Sequence, residues 1–242
     1  MSWDKESVLV LVEAAPTWSD RHGSYLVCTA GVNENGEWRR LYPMPLESLR
    51  GKIHRWDWIT VKTTKPDRDP RSESRKIDPC SMVVHEPTLT DRENRRDFLD
   101  NLSEDSLDVP TADRRSIALV KPRILGFDVV ERETEVAQLT LDGSIFEKRP
   151  FGDVGLTYKW QCEKPCEVCA RHPHSMDCFD WGANILWKRY ETNKEEAREK
   201  VTQLCYRDMK EKYDTWFALG THSRRPFSVW MIVGLLWMKR KV

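Results

Sequence analysis

The chain has 242 residues, 39% apolar and 32% charged, with 11 tryptophans. That length holds one or two domains, and the tryptophan content supplies a core and excludes a disordered chain. Lys+Arg and Asp+Glu both number 39, so the net charge is zero and bulk attraction to nucleic acid or an anionic membrane is excluded; such binding needs a local patch.

The opening Met1-Ser-Trp-Asp-Lys-Glu has no basic start leading into an apolar h-region, so no secretory signal is expected and the cytoplasm is the expected compartment. Residues 7–14 (SVLVLVEA) and 25–32 (YLVCTAGV) are β-branched and leucine-rich runs that read as strands. Asn35-Gly36 is a hairpin turn signal, and residues 37–42 (EWRRLY) read as the return strand, closed by Pro43 and Pro45. Residues 58–64 (WITVKTT) alternate as a half-buried strand does. Together these pieces predict a small antiparallel sheet or barrel over about residues 6–86. Residues 65–79 (KPDRDPRSESRKIDP) read as a charged loop, either a solvated connection or a phosphate-contacting one.

A polar helix is expected over 90–101, with Thr90 as N-cap and Glu93 at the capping-box spacing. Residues 123–132 and 137–141 read as strands, with a turn at Asp142-Gly143. Residues 157–161 are aromatic and extended, and lead into a cysteine cluster. Over 182–213 there is no proline, and Leu186, Tyr190, Ala197, Val201, Leu204 and Met209 recur at helical spacing, which predicts one long amphipathic helix. Residues 215–219 and 227–237 read as two final strands. The apolar run 229–238 is half the ~20 residues a membrane-spanning helix needs.

Of the seven cysteines, Cys162, Cys166, Cys169 and Cys178 fall within 17 residues, together with His172 and His174. In a reducing cytosol a disulfide framework is not expected, and thiols crowded with imidazoles into a charged, proline-interrupted stretch point to a metal. Four thiolates close a tetrahedral zinc and leave no open position, which makes the site a structural staple. His172 or His174 can replace one Cys to give a Cys3His site. A [4Fe–4S] cluster is the alternative. The spacing of the first three cysteines also resembles that of radical S-adenosylmethionine enzymes, but nothing downstream supplies the βα repeats of their barrel.

Two residues are candidates for catalysis. Asp180 follows the cluster and either caps the long helix or stands as a catalytic carboxylate against the metal loop. His222 lies in Gly220-Thr-His-Ser-Arg-Arg-Pro226, a polar turn between two strands, and can act as acid, base or ligand. With Asp67, Asp69 and Glu73 they compose a conceivable hard-cation site of a nuclease. No Gly-x-Ser-x-Gly, Walker A or Gly-x-Gly-x-x-Gly pattern is present, so serine-hydrolase, P-loop and dinucleotide readings have no support.

Residues 37–55 interleave Arg39, Arg40, Arg50, Lys52 and Arg55 with Trp38 and Tyr42, and Trp56 and Trp58 follow. Basic groups beside aromatic platforms are the ingredients of single-strand recognition. Arg71 in the charged loop and Arg224 and Arg225 in the last turn add phosphate-pairing candidates. The other reading makes the aromatic residues core and the arginines their solvated neighbours. The hairpin around AGVNENGEWRRLYP resembles OB-type or SH3-like small barrels over some 60 residues, which implies a nucleic-acid partner without fixing one. The Cys/His segment with Asp180-Trp181 is similar to segments of uncharacterised prokaryotic proteins and implies no activity.

These readings combine into an α+β protein. It has a β-rich, barrel-like region over 1–88, a connecting α/β region over 89–156, and a metal-bound Cys loop with a long helix and terminal hairpin over 157–242. The expected function is binding of single-stranded or structured RNA or DNA, with zinc at Cys162, Cys166, Cys169 and Cys178. A metal enzyme on nucleic acid or nucleotides is the alternative, and an iron–sulfur protein the third reading. No membrane association is expected.

Overall fold

A computed structural model describes residues 2–49, 52–87, 89–132, 136–139, 145–147, 154–222 and 225–241. Arg50, the turn expected at Asp142-Gly143, and Arg224 lie outside these residues. The protein is β-rich α+β.

The first unit is a closed barrel. Its strands are β1 (Asp4–Glu13), β4 (Thr29–Asn33), β5 (Trp38–Tyr42), β6 (Trp58–Thr64) and β7 (Ser74–His85), in the order β1-β4-β5-β7-β6. All neighbours are antiparallel except β5 and β7, which are parallel. A short hairpin of β2 (Thr17–Ser19) and β3 (Ser24–Leu26) projects between β1 and β4, and α1 (Leu46–Leu49) lies between β5 and β6. The segment 25–32 is therefore broken in two near Cys28. The Asn35-Gly36 signal holds: Gly36 has φ of 76°, where a β-carbon is unfavourable, and the Asn33 side chain accepts the backbone N–H of Asn35 and of Glu37. The charged loop ends earlier than expected. Its last residues pair as β7, and Pro79 is accommodated where the β6–β7 register shifts.

The second unit is a six-stranded sheet ordered β8-β14-β15-β13-β12-β9. It is built from β8 (Ile117–Val120), β9 (Pro122–Glu131), β12 (Val154–Cys162), β13 (His174–Cys178), β14 (Tyr213–His222) and β15 (Arg225–Lys239). Strands β10 (Val136–Leu139) and β11 (Ile145–Glu147) form a separate pair. The apolar run 229–238 is the body of β15. Among the described residues no helix is long and apolar enough to cross a membrane.

Helices α2 (Arg92–Leu102) and α3 (Asp108–Ala112) connect the two units. The cap of α2 is Asp91 rather than Thr90, its carboxylate accepting Glu93 N–H at 2.9 Å and Asn94 N–H at 3.0 Å. The single long helix expected after the cysteines is broken into α4 (Trp181–Arg189), α5 (Lys194–Thr202), a π-helical turn (Gln203–Asp208) and α6 (Met209–Glu211). The break follows from Asn193, whose side chain accepts Glu196 N–H at 3.2 Å and starts a new helix. Asn193-x-x-Glu196 is itself a capping spacing that apolar periodicity overrides. Within the π turn the Cys205 carbonyl accepts the Tyr158 hydroxyl at 2.6 Å.

Three apolar clusters follow. Val8, Val10, Leu41, Ile59 and Val61 fill the barrel. Leu9, Leu11, Val32 and Trp38 face outward and pack on Ile117, Leu119, Trp216 and Val233 of the sheet. On the opposite face of the sheet Tyr158, Trp160, Phe217 and Leu219 meet Trp187, Ala197 and Val201 of the helices. Strand β1 is thus buried on both sides, which is why its sequence is a continuous apolar run rather than an alternation.

Candidate metal centre

Strands β12 and β13 are a hairpin, with Leu156 opposite Cys178, Tyr158 opposite Met176 and Trp160 opposite His174. Every second residue of β12 from Val154 to Cys162 is buried, so the pleat carries Cys162 into the core beside Trp160. His174 enters on the same side, its ring 4.5 Å from the Trp160 indole between centroids. The loop joining them returns Cys166 and Cys169 to the same point. It is held by Ala170 N–H to the Cys166 carbonyl at 2.9 Å and by Cys169 N–H to the Cys166 sulfur at 3.3 Å.

Cys162, Cys166, Cys169 and His174 are all buried, and their ligand atoms lie within 4.8 Å of one another. His174 Nε2 is 3.2 Å from Cys166 Sγ and 3.6 Å from Cys162 Sγ, and the Cys166 and Cys169 sulfurs are 3.4 Å apart. Thiolate and imidazole ligands of one tetrahedral zinc stand roughly 3.5–3.8 Å apart, so these four atoms are close enough together to share one ion. Burial pushes the Cys162 and Cys166 thiols up. At Cys169 burial acts the same way but is outweighed by hydrogen bonds from Cys162 and Cys166, and its thiol is drawn down. Burial, with the nearby His172, lowers His174, which keeps its imidazole in the neutral form that binds metals. A cation here is the group that would ionise the buried thiols.

Neighbouring segments fix the loop from outside. Lys164 N–H donates to the Asp105 carbonyl and Glu167 N–H to the Asp108 carboxylate, each at 3.0 Å. The Gln161 side chain donates to the Cys169 carbonyl at 3.2 Å.

Cys178 stands apart from this group, and His174 takes the fourth place. Four residues of β13 carry Cys178 about 13 Å along the strand from His174. There burial, followed by the Asp180 charge, pushes its thiol well up, the state of an inert core cysteine. His172 is exposed.

The two catalytic candidates are not brought together. Asp180 is 1% exposed and caps α4: Oδ1 accepts Ala183 N–H at 2.9 Å, while Oδ2 accepts Leu235 N–H at 2.9 Å and Arg55 Nη2 at 3.1 Å. His222 pairs with Arg225 at the other end of β15, and the ten residues from Arg225 to Leu235 span about 30 Å of strand. The charged loop does reach that end, with Arg71 Nη1 donating to the Thr221 carbonyl at 3.2 Å. Two of its carboxylates are engaged there, Asp69 by Arg71 and Ser74 and Glu73 by Ser116, while Asp67 is exposed.

Of the arginines assigned to phosphate, Arg40 is buried and Arg39 and Arg71 are half-buried and paired with acids. Arg40 is 6% exposed, and its guanidinium donates to Ser116 O at 2.6 Å and Ser116 Oγ at 3.1 Å. Arg39 is paired with Glu6 and Glu37, and Arg71 with Asp69. Arg225 is exposed. For Arg40 the physical reason is the sheet laid against the barrel: on the same side of β5 as Trp38 it meets Ser116 next to β8, and its charge must find partners inside the molecule. Alternating basic and aromatic residues look the same in sequence whether the face is wet or covered.

Residues 4–101 match a protein family described as "Domain of unknown function (DUF8758)". This segment covers the barrel and nearly all of α2, and ends before the candidate metal ligands. No curated protein matches the chain.

Proposed function

We propose that the chain is a nucleic-acid-binding protein whose C-terminal half is organised by one structural zinc held by Cys162, Cys166, Cys169 and His174. The metal reading is carried by the closed, buried Cys3His group. Three thiolates and an imidazole suit zinc, the full ligand count leaves no position for substrate, and the loop they staple has few apolar residues to bury. A [4Fe–4S] cluster has less support, since it spreads its ligands around several irons whereas these four atoms converge on one point.

The nucleic-acid reading is supported by the barrel. Numbered within the barrel, its strands run 1-2-3-5-4, the third and fifth are parallel, and a helix separates the third from the fourth. This order supports an OB-type assignment, and such barrels commonly bind oligonucleotides on the second and third strands. Here that face is covered by the sheet, so contact has to fall elsewhere on the surface. Fold analogy alone does not carry function, and binding is what needs testing.

Elemental analysis of the purified chain is expected to return one zinc per chain, and chelation to lower the melting temperature. Iron with acid-labile sulfide would overturn the zinc assignment. Affinity for single-stranded oligonucleotides is expected to fall as salt rises. Absence of binding at low salt would overturn the nucleic-acid assignment.

A further inference from the structure

A cleft of about 390 Å³ opens where the barrel, α2 and the end of β15 meet. Arg55, Trp56, Arg92, Arg95, Tyr213 and Lys239 are among the residues lining it. The Arg95 guanidinium lies over the Trp56 ring at 4.9 Å from its centroid, and its Nε donates to the Leu89 carbonyl at 2.5 Å. Among the described residues no carboxylate forms an ion pair with Arg92, Arg95 or Lys239. The acids nearby are engaged: Asp57, whose charge acts on Arg95, accepts His54 N–H, Asp91 caps α2, Glu93 pairs with Arg96 and Lys241, and Asp214 pairs with Arg96 and Arg240. Arg55 is bound to Asp180 and to the Leu235 carbonyl. In a chain of zero net charge this leaves three cations facing one concavity.

One lining residue, the buried Trp56, has a strained backbone. Trp56 has φ of 80°, a left-handed conformation rare for a residue with a bulky side chain. It is held there by Trp56 N–H to the Val10 carbonyl at 2.7 Å and by His54 N–H to the Asp57 carboxylate at 2.7 Å. Residues kept in such conformations concentrate at ligand sites.

We propose that this cleft holds a phosphate of a nucleotide unit, with Arg92, Arg95 and Lys239 as the anion-binding groups. The inference rests on the nucleic-acid reading for its macromolecular form, a single strand whose backbone passes through the cleft. The same chemistry would accept a free nucleotide. Arginine gives phosphate paired donors, and the buried Trp56 ring beneath Arg95 positions that guanidinium at the cleft.

The test compares wild type with the double variant Arg92→Glu/Lys239→Glu, two substitutions at exposed side chains, and with Lys62→Glu on β6 as a surface control. The probes are a labelled single-stranded oligothymidine, uridine monophosphate and inorganic phosphate, each titrated over a range of salt. Zinc content and melting temperature establish that the variants are folded. We expect the double variant to lose about tenfold or more in oligonucleotide affinity and its salt slope to fall by about two, with Lys62→Glu close to wild type. Oligonucleotide binding unchanged in the double variant would overturn the cleft and leave the nucleic-acid reading standing. Binding of uridine monophosphate but not the oligonucleotide, lost in the double variant, would support the cleft and overturn the nucleic-acid reading. Wild type binding none of the three probes would overturn both.

Discussion

At His174 an imidazole packed at a tilt against Trp160 faces buried thiols with its Nε2. If that nitrogen is a ligand, His174→Ala removes a quarter of the donor set. We expect the variant to lose most of its zinc by elemental analysis and about 3 kcal/mol of stability, or a fall of roughly 10 °C in melting temperature. Cys178→Ala tests the competing residue, and its zinc content is expected to stay at the wild-type level. Asp69 offers a pH test. Burial opposes its ionisation, but the hydrogen bonds from Arg71 and Ser74 prevail and hold its carboxyl down to about 2. A folded-state value below the unfolded 3.8 means stability that is present above pH 4 and lost as pH falls through about 2. With solvent screening at this partly exposed site the contribution is about 1 kcal/mol. Denaturant melts of wild type and Asp69→Asn are therefore expected to differ by that amount at pH 5 and to converge toward pH 2.

Among the elements, α2 depends most visibly on one side chain. Its cap Asp91 accepts two backbone N–H groups, and the helix buries little besides Leu99. Asp91→Ala is expected to cost about 1 kcal/mol, read as a shift in the denaturant midpoint with an unchanged slope. Strands were legible where the residues themselves impose the local rule. Residues 58–64 alternate and form β6 with those bounds, and Asn35-Gly36 turns the chain between β4 and β5. The break between α4 and α5 was less legible, because Asn193 interrupts a stretch whose apolar spacing continues through it. Leu186 and Tyr190 on one side and Ala197 and Val201 on the other pack on the same core from two separate helices.

In the whole molecule, barrel and sheet share a buried layer in which Leu9, Leu11 and Trp38 meet Leu119, Trp216 and Val233. Polar groups are trapped at this joint. Glu13, at the end of β1, has Oε1 buried without a hydrogen-bond partner. Burial raises its carboxyl, with Arg55 and His54 opposing less strongly. The folded state therefore favours the protonated form, and that contribution is complete at low pH and lost as pH rises through the raised folded value. Glu13→Gln is expected to be more stable than wild type at neutral pH, with the gap narrowing as pH falls to 4. A constant gap across that range would show that the carboxyl does not ionise differently in the two states.

The barrel strands, the turn between β4 and β5 and three of the four metal-site residues could be read from the amino-acid order, because each depends on contacts or spacings within a few residues. The fourth ligand could not: His174 and Cys178 share one face of one strand, and the pairing of Trp160 with His174 decides which of them reaches the other sulfurs. Nor could the fate of Arg39, Arg40 and Asp180, since an arginine or an aspartate is the same residue in water and in a joint. Packing of the six-stranded sheet against the barrel, between segments far apart in the chain, placed Arg40 and Asp180 inside, pairing within the barrel engaged Arg39, and Arg92, Arg95 and Lys239 were left lining the open cleft.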